Sequence, residues 1–207
     1  NIEVSAKKIA WSKGINAGQT CIAPDYLVVH QSVKEELISK IEKYWKSMYG
    51  TSALESEFYP RIINEAAFDR LSDLLKTGVI QSGGSTDRAK KYIEPTIITD
   101  LQMTDKIMKE EVFGPLLPII TFEELASAFE IIDQFEKPLA IYYYGSERTA
   151  QEVMYKTSSG GACINDGLLH IVNLNLPFGG VGSSGLGSYR GYEGFRSFSL
   201  SLIHISE

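Results

Sequence analysis

The sequence has few cysteines, few histidines and no long apolar run. Its two cysteines, Cys21 and Cys163, are too few for a disulfide framework, and they predict reduced thiols in a cytoplasmic protein. The three histidines are scattered without zinc-site spacing, so no metal is predicted. No stretch of about 18 apolar residues occurs, so no membrane segment is predicted in this chain.

A basic face is also lacking. The chain carries 20 Lys and Arg against 26 Asp and Glu, a net charge of −6, which argues against a nucleic-acid partner because phosphates need cations. The first residues carry neither the basic nor the apolar stretch of a signal peptide. Their start without Met, inside a helical pattern, leads us to expect a piece of a longer protein.

Helical and strand-like patterns alternate along the chain, which we expect to form one domain over residues 1–207. The predicted helices cover 2–14, 32–49, 64–77 and 147–157, and a further helix follows residues 121–124 and ends at about 135. The predicted strands cover 26–30, 79–82, 92–99, 116–121, 139–144 and 161–165. Ser32 with Glu35, and Thr121 with Glu124, have the spacing of capping boxes. The alternation predicts an α/β fold with an open, mostly parallel sheet and helices on both faces.

Cys21 lies in a small polar loop, next to Gly18, Gln19 and Thr20. A substrate can approach a thiol in such a loop, and the thiol becomes a nucleophile once its thiolate is favoured. Cys163 lies in an apolar strand and fits a buried structural cysteine. From these residues alone, a structural role for Cys21 also remains open.

Four segments, one of which contains Cys21, occur in the order found in one enzyme family. Residues 16–21 (N-A-G-Q-T-C), 110–115 (E-E-V-F-G-P), 161–165 (G-A-C-I-N) and 177–185 (P-F-G-G-V-G-S-S-G) resemble active-site segments of the NAD(P)-dependent aldehyde dehydrogenases. Residues 21–26 (C-I-A-P-D-Y) are most similar to the class 3 and fatty aldehyde branch. The resemblance covers essentially the whole chain.

The resemblance implies oxidation of aldehydes to carboxylates with NAD or NADP. Cys21 would attack the aldehyde, form a thiohemiacetal, and after hydride transfer hold a thioester that water hydrolyses. Glu111 and Phe113 match positions that contact the cofactor. The positions that match the substrate pocket are Asn16, Asn165, His170 and Phe178. For His170, a loop histidine bonded to backbone remains an alternative.

Three parts of the family's machinery have no counterpart in this sequence. They are the oxyanion Asn, the general-base Glu and the glycine-rich cofactor-binding domain, all of which lie upstream of the nucleophile in the family. We therefore expect a catalytic domain whose cofactor is bound mainly by an N-terminal domain absent from these residues, and which is inactive alone. The family also implies a homodimer, and the apolar tail over 200–205 is a candidate edge strand.

Two other functions remain open at this point. A papain-like cysteine hydrolase would use Cys21 with His170 and either Asn173 or Asn175, which have the required order, although Pro24 breaks the helix that such a cysteine begins. A non-catalytic domain that retains an enzyme-like sequence is the second. Residues 180–185 fit G-x-G-x-x-G, but they lack the strand and helix that a dinucleotide site needs.

Overall fold

Short strands and amphipathic helices make up the fold, and the computed structural model describes residues 1–200. In that range the α-helices are α1 (Ile2–Gly14), α2 (Lys34–Tyr49), α3 (Glu65–Leu74), α4 (Leu125–Ile132), α5 (Glu147–Lys156) and α6 (Gly191–Ser197). The strands are β1 (Leu27–His30), β2 (Val79–Ser82), β3 (Thr86–Asp87), β4 (Tyr92–Ile93), β5 (Thr96–Thr99), β6 (Leu116–Phe122), β7 (Ala140–Tyr143) and β8 (Gly161–Ile164). Short 3₁₀ turns lie at Ile15–Gly18, Gln31–Val33, Lys106–Met108, Leu169–Ile171 and Gly182–Ser184.

The main sheet has the strand order β1-β6-β5-β2. β1 and β5 both run parallel to β6, and β2 is antiparallel at one edge. β7 and β8 form a separate parallel pair, and β3 pairs with β4. The prediction of an open, mostly parallel sheet is confirmed, although its parallel strands are divided between the main sheet and the separate β7-β8 pair.

Helices cover both faces of the main sheet, as predicted. Successive side chains of a strand point to opposite faces, so Ile97 and Leu117 pack with α1 and α2 on one face. Ile98 and Leu116 pack with α3 on the other face. All four side chains are fully buried, and each contributes about 1.5–3 kcal/mol to stability by leaving water.

The packing of α1 on α2 holds the end of α1 in place. Ile41 and Trp45 belong to the buried stripe of α2, and the indole N–H of Trp45 donates to the carbonyl oxygen of Ala10 at 2.9 Å. α1 therefore ends at Gly14 in a defined position, and the loop that carries Cys21 starts there.

The two predicted capping boxes are wrong. α2 takes Val33 as its N-cap and α4 takes Glu124, and neither N-cap side chain accepts a hydrogen bond from its helix. Ser32 lies in a 3₁₀ turn, and Thr121 remains in β6. β6 pairs with β1 at Thr121, and this pairing outweighs the preference of Thr121 to cap a helix.

Several predicted boundaries also move. The strand predicted over 92–99 is interrupted at Glu94 and Pro95, and proline cannot donate to a strand ladder. The helices predicted to end at 77 and 135 end at Leu74 and Ile132. The edge strand predicted over 200–205 lies, apart from Leu200, outside the described residues.

Candidate active site

Cys21 is displayed by a loop of unusual backbone conformation, which we call the nucleophile loop (residues 14–24). Asn16, Ala17 and Gly18 have left-handed φ values of 52°, 51° and 70°, which cost about 1–2 kcal/mol at a residue with a side chain. A turn follows, in which the N–H of Ala23 donates to the carbonyl oxygen of Thr20 at 2.9 Å. The Cys21 thiol is exposed and free.

A buried amide braces this strained backbone. Gln19 Nε2 donates to the carbonyl oxygens of Asn16 (3.0 Å) and Arg61 (3.1 Å), and its Oε1 accepts from the N–H of Ile63 at 2.9 Å. Asn16 Nδ2 donates to the carbonyl oxygen of Gln19 at 2.8 Å. Each bond contributes about 0.5–1.5 kcal/mol, so together they offset the strain. The amide of Asn16 thus serves the loop, and its substrate-pocket role stays a prediction.

The nucleophile loop packs directly against residues 110–114, which we call the acidic loop. A Cβ atom at Gly18 would collide with the carbonyl oxygen of Gly114, so the two backbones touch there. Asp25 Oδ1 also accepts from the N–H of Val112 at 2.8 Å. The structure therefore brings together the first two of the four segments that the sequence singled out.

Arg70 of α3 fixes the acidic loop from the other side. Its guanidinium donates to the carbonyl oxygens of Glu111 (3.1 Å) and Val112 (2.6 Å). Among the described residues, the Glu111 carboxylate itself has no hydrogen-bond or ion-pair partner. Partial burial and then the charge of Asp25 raise the pKa of Glu111, against the opposing charges of Arg70 and Lys13. Phe113 has a φ of 42° and an exposed ring.

Lys13 also belongs to this site, although none of the sequence motifs includes it. Its side chain is only 2% exposed, and its Nζ donates to the carbonyl oxygen of Pro24 at 2.8 Å. Burial lowers the pKa of Lys13 to about 8, against the charges of Asp25 and Glu111. A signal was available, because Lys13 lies four residues after Ile9, on the apolar stripe of α1.

The third segment ends at Asn165, whose side chain is committed to backbone. Its Oδ1 accepts from the N–H of Gly145 at 2.9 Å, and its Nδ2 donates to the carbonyl oxygen of Gly145 at 3.0 Å. Its own carbonyl oxygen accepts from Lys8 Nζ at 2.7 Å. These bonds tie the end of β8 to α1 and to the loop after β7. The substrate-pocket role of Asn165 stays a prediction.

His170 faces the other cysteine. Its Nδ1 lies 3.4 Å from Cys163 Sγ, and its buried Nε2 has no hydrogen-bond partner among the described residues. Burial, and then the charge of Arg190, lower the pKa of His170. A papain-like hydrolase needs this imidazole at Cys21, so the geometry gives that alternative no support. The bond to a thiol also differs from the backbone bond expected of a loop histidine.

An aromatic row connects the C-terminal segments to the nucleophile loop. The rings of Phe178 and His170 stack with centroids 6.3 Å apart, and the His170 ring lies 5.9 Å from that of Tyr142. The hydroxyl of Tyr142 donates to the carbonyl oxygen of Ile22 at 2.8 Å. Tyr142 therefore links the residue after Cys21 to the predicted pocket residues, a role that nothing in the sequence pattern indicated.

Comparison with known proteins agrees with this convergence of segments. The sequence model described as the aldehyde dehydrogenase family matches residues 1–201. The chain belongs to the aldehyde dehydrogenase family. The resemblance noted from the sequence is thereby confirmed.

Individual aldehyde dehydrogenases are similar over nearly the whole chain. A Rattus norvegicus enzyme named "Aldehyde dehydrogenase, dimeric NADP-preferring" is 41% identical over 200 residues, 96% of this chain and 44% of that protein. Rattus norvegicus aldehyde dehydrogenase family 3 member B1 is 43% identical over 195 residues, 94% of this chain and 42% of that protein. The solved structure "Substrate bound state of Staphylococcus Aureus AldH" has a TM-score of 0.92 and 41% identity, and the match covers 100% of this chain and 47% of that chain. The chain thus spans less than half the length of these relatives.

Three other features of this aldehyde dehydrogenase chain are its second glycine pattern, its possible metal ligands and its possible membrane helices. The G-x-G-x-x-G at 180–185 includes a 3₁₀ turn rather than the start of an α-helix, so it is not a dinucleotide fingerprint. Residues 1–200 contain no group of three or more His, Cys, Asp or Glu side chains that could hold a metal ion. In the same range no helix is both long enough and apolar enough to cross a bilayer.

Proposed function

We propose that the protein that carries this chain oxidises aldehydes to carboxylates with NAD or NADP, and that Cys21 is its nucleophile. The observation that carries the proposal is the contact between the two loops. The nucleophile loop touches the acidic loop where Gly18 meets Gly114, and Asp25, the residue that follows the nucleophile loop, accepts from the N–H of Val112. The loop that displays the exposed thiol of Cys21 is thereby held against the loop that carries Glu111.

The first step is attack of Cys21 Sγ on the aldehyde carbon, which gives a thiohemiacetal. The backbone N–H of Cys21 has no hydrogen-bond partner among the described residues, so it is free to donate to the oxyanion that develops. Cysteine suits the reaction because its thiolate is a good nucleophile near neutral pH and because the resulting thioester is open to hydrolysis. The braced backbone of the nucleophile loop keeps the sulfur in one place while the thioester forms and while it is hydrolysed.

The acidic loop fits a nicotinamide cofactor. Glu111 offers two acceptor oxygens suited to a pair of ribose hydroxyls, and Phe113 offers an exposed ring. When bound, the cofactor supplies the hydride acceptor. The name of the rat relative, NADP-preferring and dimeric, supports NADP use and a homodimer for this protein as well. The resemblance of residues 21–26 to the class 3 and fatty aldehyde branch implies medium or long aliphatic, or aromatic, aldehydes as substrates.

The proposal is tested by comparing two cysteine variants of the complete protein. Cys21→Ala is expected to lower the rate of aldehyde-dependent NAD(P)H formation at least about 10³-fold, because the thioester cannot form. Cys163→Ala is the matched control, because its thiol faces His170 instead, and it should retain the wild-type rate within about threefold. NAD(P)H formation is followed by absorbance with a panel of aldehydes and either cofactor.

Two outcomes would contradict the proposal. Activity retained by Cys21→Ala would remove Cys21 from the mechanism. A folded, complete wild-type protein that reduced neither NAD nor NADP with any aldehyde would favour the non-catalytic alternative. We further propose that residues 1–207 expressed alone are inactive, because the resemblance assigns only Glu111 and Phe113 in them to the cofactor. NAD(P)H formation by that piece would show this second statement to be wrong.

A further inference from the structure

A buried cation lies beneath the nucleophile loop. Lys13 is 2% exposed, and it is the least exposed lysine, arginine, aspartate or glutamate residue among residues 1–200. Burial also raises the pKa of Asp25, against the charge of Lys13. Burying an ammonium group costs several kcal/mol unless nearby groups compensate it. The contacts of Lys13 must therefore compensate the cost of burying its charge.

Lys13 touches the nucleophile loop at both ends and in the middle. It lies one residue before the loop begins at Gly14, and its Nζ donates to the carbonyl oxygen of Pro24, where the loop ends. Its Cε lies where it would contact a Cβ atom on Gly18, at 3.3 Å. One side chain therefore spans the base of the loop from which Cys21 projects.

The same ammonium group is attracted by carboxylates on two different segments. Asp25 follows the nucleophile loop, and Glu111 belongs to the acidic loop; both charges act on Lys13. Asp25 also accepts from the N–H of Val112. Arg70 of α3 donates to two carbonyl oxygens on the far side of the acidic loop and lies 3.9 Å from the Glu110 carboxylate. Lys13 thus supplies the positive charge between the two loops that meet at the site.

We propose that Lys13 is a positioning residue, which sets how the nucleophile loop lies against the acidic loop by its bond to Pro24 and by the attraction of its charge to Asp25, which accepts from Val112. This inference rests on the proposed role of Cys21 as the nucleophile. Lys13 acts through the backbone on which the reacting sulfur is carried, and it does not touch the reacting atoms. Since burial places its pKa at about 8, loss of its proton weakens both connections in mildly alkaline solution.

The test compares steady-state kinetics of Lys13→Met with those of the complete wild-type protein. Methionine has a similar length but neither the charge nor the donor. We expect kcat to fall about 10- to 100-fold, because small displacements of a reacting group are that costly, while KM for the aldehyde stays within about twofold. The wild-type kcat should also show an inflection near pH 8 that the variant lacks. Lys7→Met, at an exposed position of the same helix, is the control and should behave as wild type.

A purely structural role would give a different pattern. Lys13→Met would then lower the melting temperature, while the folded enzyme kept its kcat and its pH profile. That result would overturn the proposal. If Lys13→Met does not fold, Asp25→Asn decides, since asparagine can still accept from Val112 but removes the charge that faces Lys13. An unchanged kcat in Asp25→Asn would then contradict the proposal.

The outcome for Cys21→Ala separates this inference from the proposed function. If Cys21→Ala is inactive while Lys13→Met keeps the wild-type kcat, only the role of Lys13 is wrong. If Cys21→Ala keeps its activity, the proposed function fails, and the role of Lys13 fails with it.

Discussion

The nucleophile loop and the glycine-rich segment (residues 173–191) both carry family sequence patterns, yet they are built in opposite ways. The nucleophile loop is held by side chains, chiefly the amide of Gln19 and the ammonium of Lys13. The glycine-rich segment is held mostly by local bonds at its surface, namely the reciprocal backbone bonds between Phe178 and Tyr189 at 2.9 Å and the bonds of the Ser184 hydroxyl to the backbone of Val181. Its leucines, including Leu174 and Leu186, are largely exposed.

The difference shows how much of the site these residues build by themselves. Strained backbone persists only where its surroundings over-determine it, and the buried partners of Gln19 provide this for the nucleophile loop. The position of Cys21 is therefore set by the core of the chain. The glycine-rich segment presents apolar side chains without burying them, so it adds little to the stability of the core.

The largest expected effect separates two glycines with the same φ of 70°. Gly18→Ala forces a Cβ atom against the carbonyl oxygen of Gly114, whereas at Gly187 nothing lies within 4 Å. Both variants carry the conformational cost of a left-handed alanine, about 1–2 kcal/mol. Only Gly18→Ala should separate the two loops, with at least about a 100-fold loss of kcat/KM, against less than about threefold for Gly187→Ala. Equal losses of kcat/KM would show that the contact between the loops does not matter.

A second expected effect is a pH dependence of stability that belongs to Lys13. Its folded pKa of about 8 lies below its unfolded value of 10.5, so the unfolded chain binds more protons between these values. The free energy of unfolding should therefore rise with pH through this window, by about 3 kcal/mol from this group. Below about pH 8 the full cost of the buried charge is present.

Lys13→Met should remove that rise, and the difference between the two stability curves isolates it. Partly buried tyrosines such as Tyr26, whose pKa burial raises to about 12, oppose the rise in both proteins, and their contribution cancels in the difference. Denaturant unfolding at several pH values measures it, with Lys7→Met as the exposed control. If the free energy of unfolding changed with pH in the same way in wild type and Lys13→Met, the burial of a titrating cation at Lys13 would be contradicted.

The smallest expected effect lies in the glycine-rich segment. Leu186 is 96% exposed, so Leu186→Ser should change the free energy of unfolding by less than about 0.5 kcal/mol. Leu71, which is fully buried under the acidic loop, is the contrast, and Leu71→Ala should cost about 2–5 kcal/mol. Thermal melts of both variants make the measurement. A large loss for Leu186→Ser would mean that this segment is buried in the protein in solution.

Much of the fold could be predicted because it follows from local periodicity. The stripes of α2 and α3 and the apolar strands β1 and β6 are visible in the sequence, and the alternation of elements predicts the sheet. Ser32 lies in a 3₁₀ turn and Thr121 lies in a paired strand. The local sequence could therefore not predict that neither residue caps a helix. Nothing in the pattern separates the β7-β8 pair from the main sheet.

Less of the site could be predicted, because its contacts join distant residues. The sequence singled out Cys21 and residues 110–115 but not the contact of Gly18 with Gly114, which depends on how two loops cross. The pairing of His170 with Cys163 instead of Cys21 is likewise a three-dimensional fact. The burial of Lys13 could have been inferred from its place on the apolar stripe of α1, although a lysine is ordinarily expected to be exposed.

The central claim, that Cys21 is the reactive thiol, is tested most directly by competitive alkylation of the two cysteines. The complete protein is treated with substoichiometric iodoacetamide near neutral pH, and labelling of each cysteine is read by peptide mass. Cys21 is exposed, whereas burial raises the pKa of the Cys163 thiol and so depletes its thiolate. We expect Cys21 to be labelled at least about tenfold faster. Equal labelling, or faster labelling of Cys163, would contradict the assignment of Cys21 as the nucleophile.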